Sequence, residues 1–225
     1  SRGETVSGRR DYLRLYLVTD RDLGRGRPLA DVVQMAVSGG VTAVQVREKE
    51  LTSRAFVAEA TAILQVLSGT GVPLFINDRV DVALAIGADG VHVGQDDLPT
   101  ADARRLIGPD MLLGVSVATG EEARSALADG ADYVSVSPVF LTPTKPDADT
   151  AVGLEGVAEI RRAVGDAPVL AIGGIDSGNA RSVAAAGADG VSVVSAIMAA
   201  DDPQAAAMGI RAQVEAGLLC RGDDR

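Results

Sequence analysis

Gly187-Ala188-Asp189-Gly190-Val191-Ser192-Val193 decides the fold, because the chain says it four times. Gly40-Val41-Thr42-Ala43-Val44-Gln45-Val46, Gly87-Ala88-Asp89-Gly90-Val91-His92-Val93 and Gly130-Ala131-Asp132-Tyr133-Val134-Ser135-Val136 share the form Gly-x-x-x-Val-x-Val. The copies begin 47, 43 and 57 residues apart. Each Gly follows an apolar helical stretch, where a residue with positive φ can end the helix. Each Val-x-Val reads as a short buried strand. Four further apolar runs lie between them: Leu15 to Val18, Pro73 to Ile76, Leu112 to Val115 and Val169 to Ile172. They are short, continuous and bounded by polar residues or Gly, as strands buried on both faces are. Helical spacing fills the gaps, with Phe56, Ala60, Ile63 and Leu67 on one face and Thr52 and Thr119 as N-caps. Eight strands alternating with helices, two units per repeat, predict an α/β fold, a (β/α)8 TIM barrel. An open doubly wound sheet is the alternative and explains the fourfold repeat less well.

The 225 residues suit such a barrel, and no break in composition divides them, so one domain spanning 1–225 is expected. The ends, about 1–12 and 221–225, are expected to fray. Hydrophobic residues make up 47% of the chain, enough for a sizeable core. Aromatics at 3% and a net charge of −10 argue against a nucleic-acid or anionic-membrane surface. An anionic substrate must therefore meet a local cluster of cations or a metal. Cys220 is the only cysteine, which excludes an intrachain disulfide and a cysteine-rich metal site. With no signal-peptide core and no apolar run long enough to span a bilayer, the expected location is cytoplasmic.

Chemistry in a barrel of this kind sits on the loops after the strands. The polar residues collect there: Thr19-Asp20, Gln45 to Lys49, Asn77-Asp78-Arg79, Gln95-Asp96-Asp97, Ser116, Thr142 to Lys145, Gly173-Gly174 and Val194-Ser195. Alternation puts Gln45, Arg47 and Lys49 on one side of an extended chain. That row of donors suits an oxygen-rich anion such as diphosphate; a charged strand end paired through Glu48 is the alternative. Asp78 and Asp97 end adjacent strands and suit a hard cation such as Mg2+. Asp78 could instead cap the helix that follows, and Asp96 competes with Asp97. Gly173-Gly174 and Val194-Ser195 occupy the positions of a barrel phosphate site. His92, the only histidine, is expected to pack on the barrel interior. A chain poor in acid–base groups and rich in anion ligands points to group transfer with a diphosphate leaving group.

Taken in order, the motifs resemble the thiamine phosphate synthase family from about Tyr16 to Ala200. They are Tyr16 to Asp20, Gln45 to Lys49, Asn77-Asp78-Arg79, His92 to Asp97, Gly114-Val115-Ser116, Thr142-Pro143-Thr144-Lys145, Gly173-Gly174-Ile175 and Val194-Ser195. The resemblance implies a transferase that joins a hydroxymethylpyrimidine diphosphate to a thiazole phosphate, giving thiamine monophosphate and diphosphate. It implies that Gln45, Arg47, Lys49, Asn77, Ser116 and Lys145 hold the pyrimidine diphosphate. Asp78 and Asp97 would hold Mg2+. Thr142, Thr144, Gly174, Val194 and Ser195 would hold the thiazole phosphate, and Val46, Glu48 and Pro143 complete the substrate-binding stretches. Arg47, Lys49 and Lys145 would carry the catalytic charge. The expected partners are these two small molecules, without nucleic acid or membrane; a homo-oligomer is compatible with them. Two departures stand out: Ala118 precedes Thr119 where the family often has His, and Ser137 precedes Pro138 where it often has Gly. The alternatives are a thiazole tautomerase on the same fold, to which the missing His is unfavourable, and a non-catalytic phosphate-ligand binding protein. The long stretch from Phe140 to Gly153 is expected to act as a lid.

Overall fold

The computed structural model describes residues 10–141 and 150–222. Eight parallel strands close into a barrel in sequence order: β1 (Leu15–Val18), β2 (Ala43–Val46), β3 (Leu74–Asn77), β4 (Gly90–Val93), β5 (Leu112–Val117), β6 (Tyr133–Val136), β7 (Val169–Ile172) and β8 (Gly190–Val193). β3 sits one residue later than the apolar run suggests, and β5 runs two residues longer. Seven crossover helices surround the barrel: α1 (Leu29–Ser38), α2 (Ser53–Leu67), α3 (Val80–Ile86), α4 (Thr100–Ile107), α5 (Gly120–Ala128), α6 (Gly153–Val164) and α7 (Ala180–Ala186). A one-turn α8 (Ser195–Met198) and a long α9 (Pro203–Gly222) follow β8. None of the described helices is long and apolar enough to cross a membrane. The predicted stripe of α2, Phe56, Ala60, Ile63 and Leu67, is its buried face. Thr52 and Thr119 cap α2 and α5 through their side chains.

The repeat has a physical cause at the N-terminal edge of the barrel. There an N–H at the start of each odd strand, the first residue of β1, β3 and β7 and the second of β5, takes a side-chain acceptor. In every repeat the third residue supplies that acceptor. Thr42 Oγ1 accepts from Leu15 N (2.9 Å), Asp89 Oδ2 from Leu74 N (2.9 Å), Asp132 Oδ2 from Leu113 N (2.7 Å) and Asp189 Oδ2 from Val169 N (2.9 Å). The same four residues return their own N–H to the carbonyls of Leu15, Leu74, Leu113 and Val169. Each odd strand is thus latched to the even strand after it. The repeat glycines make the turn into this latch at φ of +101°, +67°, +100° and +137°. Two latches are reinforced: Arg104 in α4 pairs with Asp132, and Arg161 in α6 pairs with Asp189, each at 2.6 Å.

Apolar side chains form two layers. One fills the space between strands and helices; the other fills the barrel itself, with Leu13, Tyr16, Phe75, Leu112, Tyr133 and Leu170 at its heart. Large rings face glycines on the neighbouring strand. A Cβ on Gly114 would meet Tyr133 Cζ at 2.1 Å, and one on Gly90 would meet Phe75 Cε1 at 2.3 Å. The expected fraying reaches too far inward. Residues Arg10–Leu13 form a 3-10 helix, Leu13 is fully buried, and Tyr12 stacks on Phe75 beneath the barrel. Arg10 and Arg221 both approach Asp189 at 3.7 Å, which ties both ends of the described chain to one latch. Residues 1–9 and 223–225 lie outside the described residues.

Candidate active site

All eight strands deliver side chains to one cavity at the C-terminal mouth of the barrel. Parallel strands in register must do this, since every strand ends on the same face. β1 and β2 contribute Thr19, Asp20, Gln45 and Arg47; β3 to β5 contribute Asn77, His92 and Ser116. β6 contributes Ser135, Ser137 and Pro138; β7 and β8 contribute Gly173, Gly174, Ser192, Val194 and Ser195. Gln45, Arg47, Asn77, Ser116, Gly174, Val194 and Ser195 are therefore brought together as the sequence predicts.

The remaining predicted residues divide three ways. Lys49, Asp78 and Asp97 lie beside the cavity rather than in its lining. Lys49 is half exposed, with Nζ 4.0 Å from Asp78 Oδ2. Val46 and Glu48 are not brought to the cavity. Val46 is buried among apolar residues between strands and helices. Glu48 turns to Arg21 (3.6 Å) and Glu59, so it pairs with neither Arg47 nor Lys49. Val46 and Glu48 both fall on the opposite side of the chain from Gln45 and Arg47, where period-two alternation puts them. Burial first, then the Glu59 charge, push the Glu48 carboxyl above the ordinary glutamate range. Thr142, Pro143, Thr144 and Lys145, with most of the expected lid, lie outside the described residues.

Asp78 does not cap the next helix. The residue before α3 is Arg79, whose side chain bonds Asp81 and Ser53 instead. Asp78 itself takes a left-handed backbone at φ +63°, a conformation costly for a residue with a Cβ. The turn leaves its carboxylate against Asp97 and Lys49. Burial, then the Asp97 charge, push the Asp78 carboxyl up, while Lys49 opposes them. Asp96 is not among the groups that shift it. Two carboxylates in contact are a poor arrangement without a cation and a good one around a hard divalent ion. Among the described residues no set of three or more His, Cys, Asp or Glu converges to hold a metal. A cation here would draw its other ligands from substrate oxygens and water, as Mg2+ does.

At the other side of the cavity the chain after β6 lies against the end of β7. Phe140 N donates to Gly173 O at 3.0 Å, and a Cβ on Gly173 would strike Pro138 at 2.8 Å. Gly173 and Gly174 have φ of +114° and +60°, so glycine is what lets the two segments touch. Val194 and Ser195 then lead into α8.

Beneath the cavity lies a polar layer that sequence reasoning missed. Gln45 Nε2 donates to Tyr16 Oη at 3.1 Å, and Tyr16 Oη lies 3.0 Å from Tyr133 Oη. Tyr133 Oη lies 3.0 Å from His92 Nδ1, and His92 Nε2 lies 2.9 Å from Ser116 Oγ. Burial pushes both tyrosine hydroxyls well above their ordinary ionisation range. Ser192 Oγ, also in the lining, is buried without a hydrogen-bond partner among the described residues. The missed signal is period two: Tyr16 and Tyr133 lie two residues before Val18 and Ser135, on the same strand face.

A family model described as thiamine monophosphate synthase matches residues 15–197. The chain belongs to the thiamine monophosphate synthase family. A thiamine-phosphate synthase of Albidiferax ferrireducens is 54% identical over 204 residues, 91% of this chain and 93% of that protein. One from Chloroflexus aurantiacus is 55% identical over 201 residues, 89% of this chain and 92% of that protein. Among solved structures, a thiamine phosphate pyrophosphorylase from Pyrococcus furiosus superposes with a TM-score of 0.85 at 41% identity, covering 93% of this chain and 98% of that one. The transferase activity expected from the motifs is the activity of this family. Neither the isomerase nor the non-catalytic alternative is favoured by these relatives.

Proposed function

We propose that the cavity joins an aminopyrimidine carrying a CH2-diphosphate to a thiazole phosphate, with Mg2+, by dissociative alkyl transfer. The observation that carries this reading is one cavity with two anion-suited halves. Gln45, Arg47, Asn77 and Ser116 line one half, and Gly174, Val194 and Ser195 line the other. The C–O bond to the leaving diphosphate breaks, and its electron pair departs with that oxygen. The aminopyrimidine spreads the positive charge left at the methylene. The thiazole ring nitrogen then gives its lone pair to that carbon, forming the C–N bond and a thiazolium. No proton moves and no protein nucleophile is needed. What this chain must do is hold the two partners face to face and offset charge as the diphosphate leaves.

Arg47 and Lys49 supply positive charge in this reading, together with Lys145, which the family resemblance brings in. Asp78 and Asp97 would hold the Mg2+, which when bound neutralises the diphosphate oxygens. Gly174, Val194, Ser195 and, by resemblance, Thr142 and Thr144 grip the thiazole phosphate as a handle whose charge stays constant. A cytoplasmic location, small-molecule partners and one barrel domain over the whole chain belong to the same proposal, supported by the biosynthetic relatives.

The test mixes both substrates with Mg2+ and follows thiamine phosphate and diphosphate, which should appear in equal amounts. Asp78→Asn and Asp97→Asn should each lower turnover by at least about a hundredfold, the loss of a few kcal/mol of charge compensation. Binding of the thiazole phosphate should change little. Near-normal turnover of both variants in metal-depleted buffer would remove the metal assignment.

A further inference from the structure

The layer beneath the cavity is a single file of groups that share protons. A buried hydroxyl whose one proton is used within the file gives it to one neighbour and accepts from the other. Fixing the direction at one end therefore fixes it throughout. Gln45 points its amide nitrogen at Tyr16 Oη. Tyr16 accepts there and passes its own proton to Tyr133 across 3.0 Å. Tyr133 then gives its proton to His92 Nδ1, which must be the bare ring nitrogen. The ring proton lies on Nε2 and goes to Ser116 Oγ. Neutral tyrosines are required for this ordering, and burial keeps both neutral.

We propose that Tyr133 is a positioning residue that orders this file, so that Gln45 turns an acceptor and Ser116 a donor toward the pyrimidine diphosphate. The inference rests on the reading of Gln45 and Ser116 as residues of that half of the cavity. Gln45 holds Tyr16 with one of its two N–H groups, and that orientation of the amide puts Oε1 on its other arm as the acceptor. Ser116 accepts from His92, which leaves its own proton to give. An aminopyrimidine fits this pair: its exocyclic amino group donates to Gln45, and an acceptor atom of the same molecule takes the Ser116 proton. Tyr133 touches neither group, yet both of their links run through its hydroxyl. The register explains why it can reach: Gly114, its partner on β5, leaves the space that the ring and hydroxyl occupy. The opposite ordering is equally self-consistent as hydrogen bonding. It would turn Gln45 Oε1 to Tyr16, place the ring proton on Nδ1 and make Ser116 an acceptor for the ligand.

The two orderings differ in one measurable property, the His92 tautomer. His92 is the only histidine, so a protein labelled with 15N in its imidazole shows a single ring. Two-bond proton–nitrogen spectra of the ligand-free protein should show Nε2 protonated and Nδ1 bare. A ring protonated on Nδ1, or on both nitrogens, would overturn the proposal. Tyr133→Phe removes one oxygen and keeps the ring. It should scramble the tautomer into two ring species and lower kcat on the order of tenfold, about one hydrogen bond's worth, while the KM for thiazole phosphate holds. A variant that kept the pure Nε2 tautomer and the parent kcat would remove Tyr133 from the role. The spectrum of the parent protein needs no substrate. An inactive protein with the expected tautomer would therefore count against the proposed function alone.

Discussion

Replacing the third residue of each repeat by a side chain without an acceptor should produce a graded loss of stability. The grading follows from what each latch holds. Thr42→Val removes one hydroxyl acceptor from Leu15 N, at about 1 kcal/mol. Asp89→Ala leaves Leu74 N without its carboxylate, at about 1–3 kcal/mol. Asp132→Ala does the same to Leu113 N and also takes the carboxylate from Arg104, which keeps its bonds to the carbonyls of Gly130, Gly108 and Met111. Asp189→Ala is the severe case. Its carboxylate is 7% exposed, holds Val169 N and Arg161, and has Arg10 and Arg221 at 3.7 Å. Breaking one side of a buried ion pair costs about 3–5 kcal/mol, mostly through the charge left behind. At about 2–4 °C per kcal/mol for a chain of this size, Asp189→Ala should lower Tm by about 6–20 °C. Asp89→Ala should lower it by about 2–12 °C, and its urea midpoint should move less in proportion. Arg161 also donates to the carbonyls of Gly187, Gly165 and Ala167, so Arg161→Ala should be costly alone, but adding it to Asp189→Ala should cost less than the two single losses summed. Equal Tm values for Asp189→Ala and Asp89→Ala, with the Asp189→Ala and Arg161→Ala losses strictly additive in the double variant, would show that the ion pair contributes nothing and that the latch is a backbone device alone.

Two further outcomes follow from the burial pattern. Glu48 is harder to ionise in the folded protein than in the unfolded chain, so its ionisation costs stability above the ordinary glutamate pKa; stability should fall as pH rises through that range, from about pH 4 upward. Glu48→Gln should flatten that fall in urea midpoints measured against pH, and parallel curves for variant and parent would contradict it. Gly114→Ala places a methyl 2.1 Å from Tyr133 Cζ on an extended backbone that tolerates any residue, so the penalty is steric; it should cost about 1–3 kcal/mol and about 2–12 °C in Tm, and an unchanged Tm would mean the ring yields that space freely.

The fold was legible because its punctuation is local. Gly87 ends a helix, Asp89 latches a strand and Val91-His92-Val93 enters the barrel, all within seven residues that recur. What could not be read locally was the closure of the ends: Arg10 and Arg221 are distant in sequence and meet only at Asp189. In the site, Gln45, Arg47, Asn77, Ser116 and Ser195 were legible because each ends or follows a strand, and parallel register carries all ends to one mouth. As a binding residue Glu48 entered only as part of the family stretch, and alternation places it with Val46, away from the cavity. Tyr16 and Tyr133 were hidden by their own chemistry. Each is mostly apolar ring and reads as core, which it is; only the register across strands shows that their hydroxyls meet. His92 was read as a packed interior side chain, and it is buried, but it also faces the cavity.

The charges at the mouth give the last step. Arg47 and Lys49 bring two positive charges, and Asp78 and Asp97 bring two negative ones, so these four groups cancel. A fifth, the Asp20 carboxylate, is occupied by the N–H groups of Asp22 and Leu23. The whole chain, at −10, adds no attraction for an anion. On the proposed reading, then, the site as the protein alone builds it is not an anion trap. With Asp20 counted, the five groups carry one net negative charge, and a divalent cation between Asp78 and Asp97 turns that into one net positive charge facing the diphosphate. The carboxylates that would otherwise repel the leaving group become the means of attracting it. Cation and diphosphate should therefore bind with strong mutual dependence. The thiazole phosphate, held across the cavity by glycine backbone and Ser195, should bind with little dependence on either. That asymmetry matches the chemistry, since only one of the two anions gains charge during the reaction and only that one needs a counterion that can follow it.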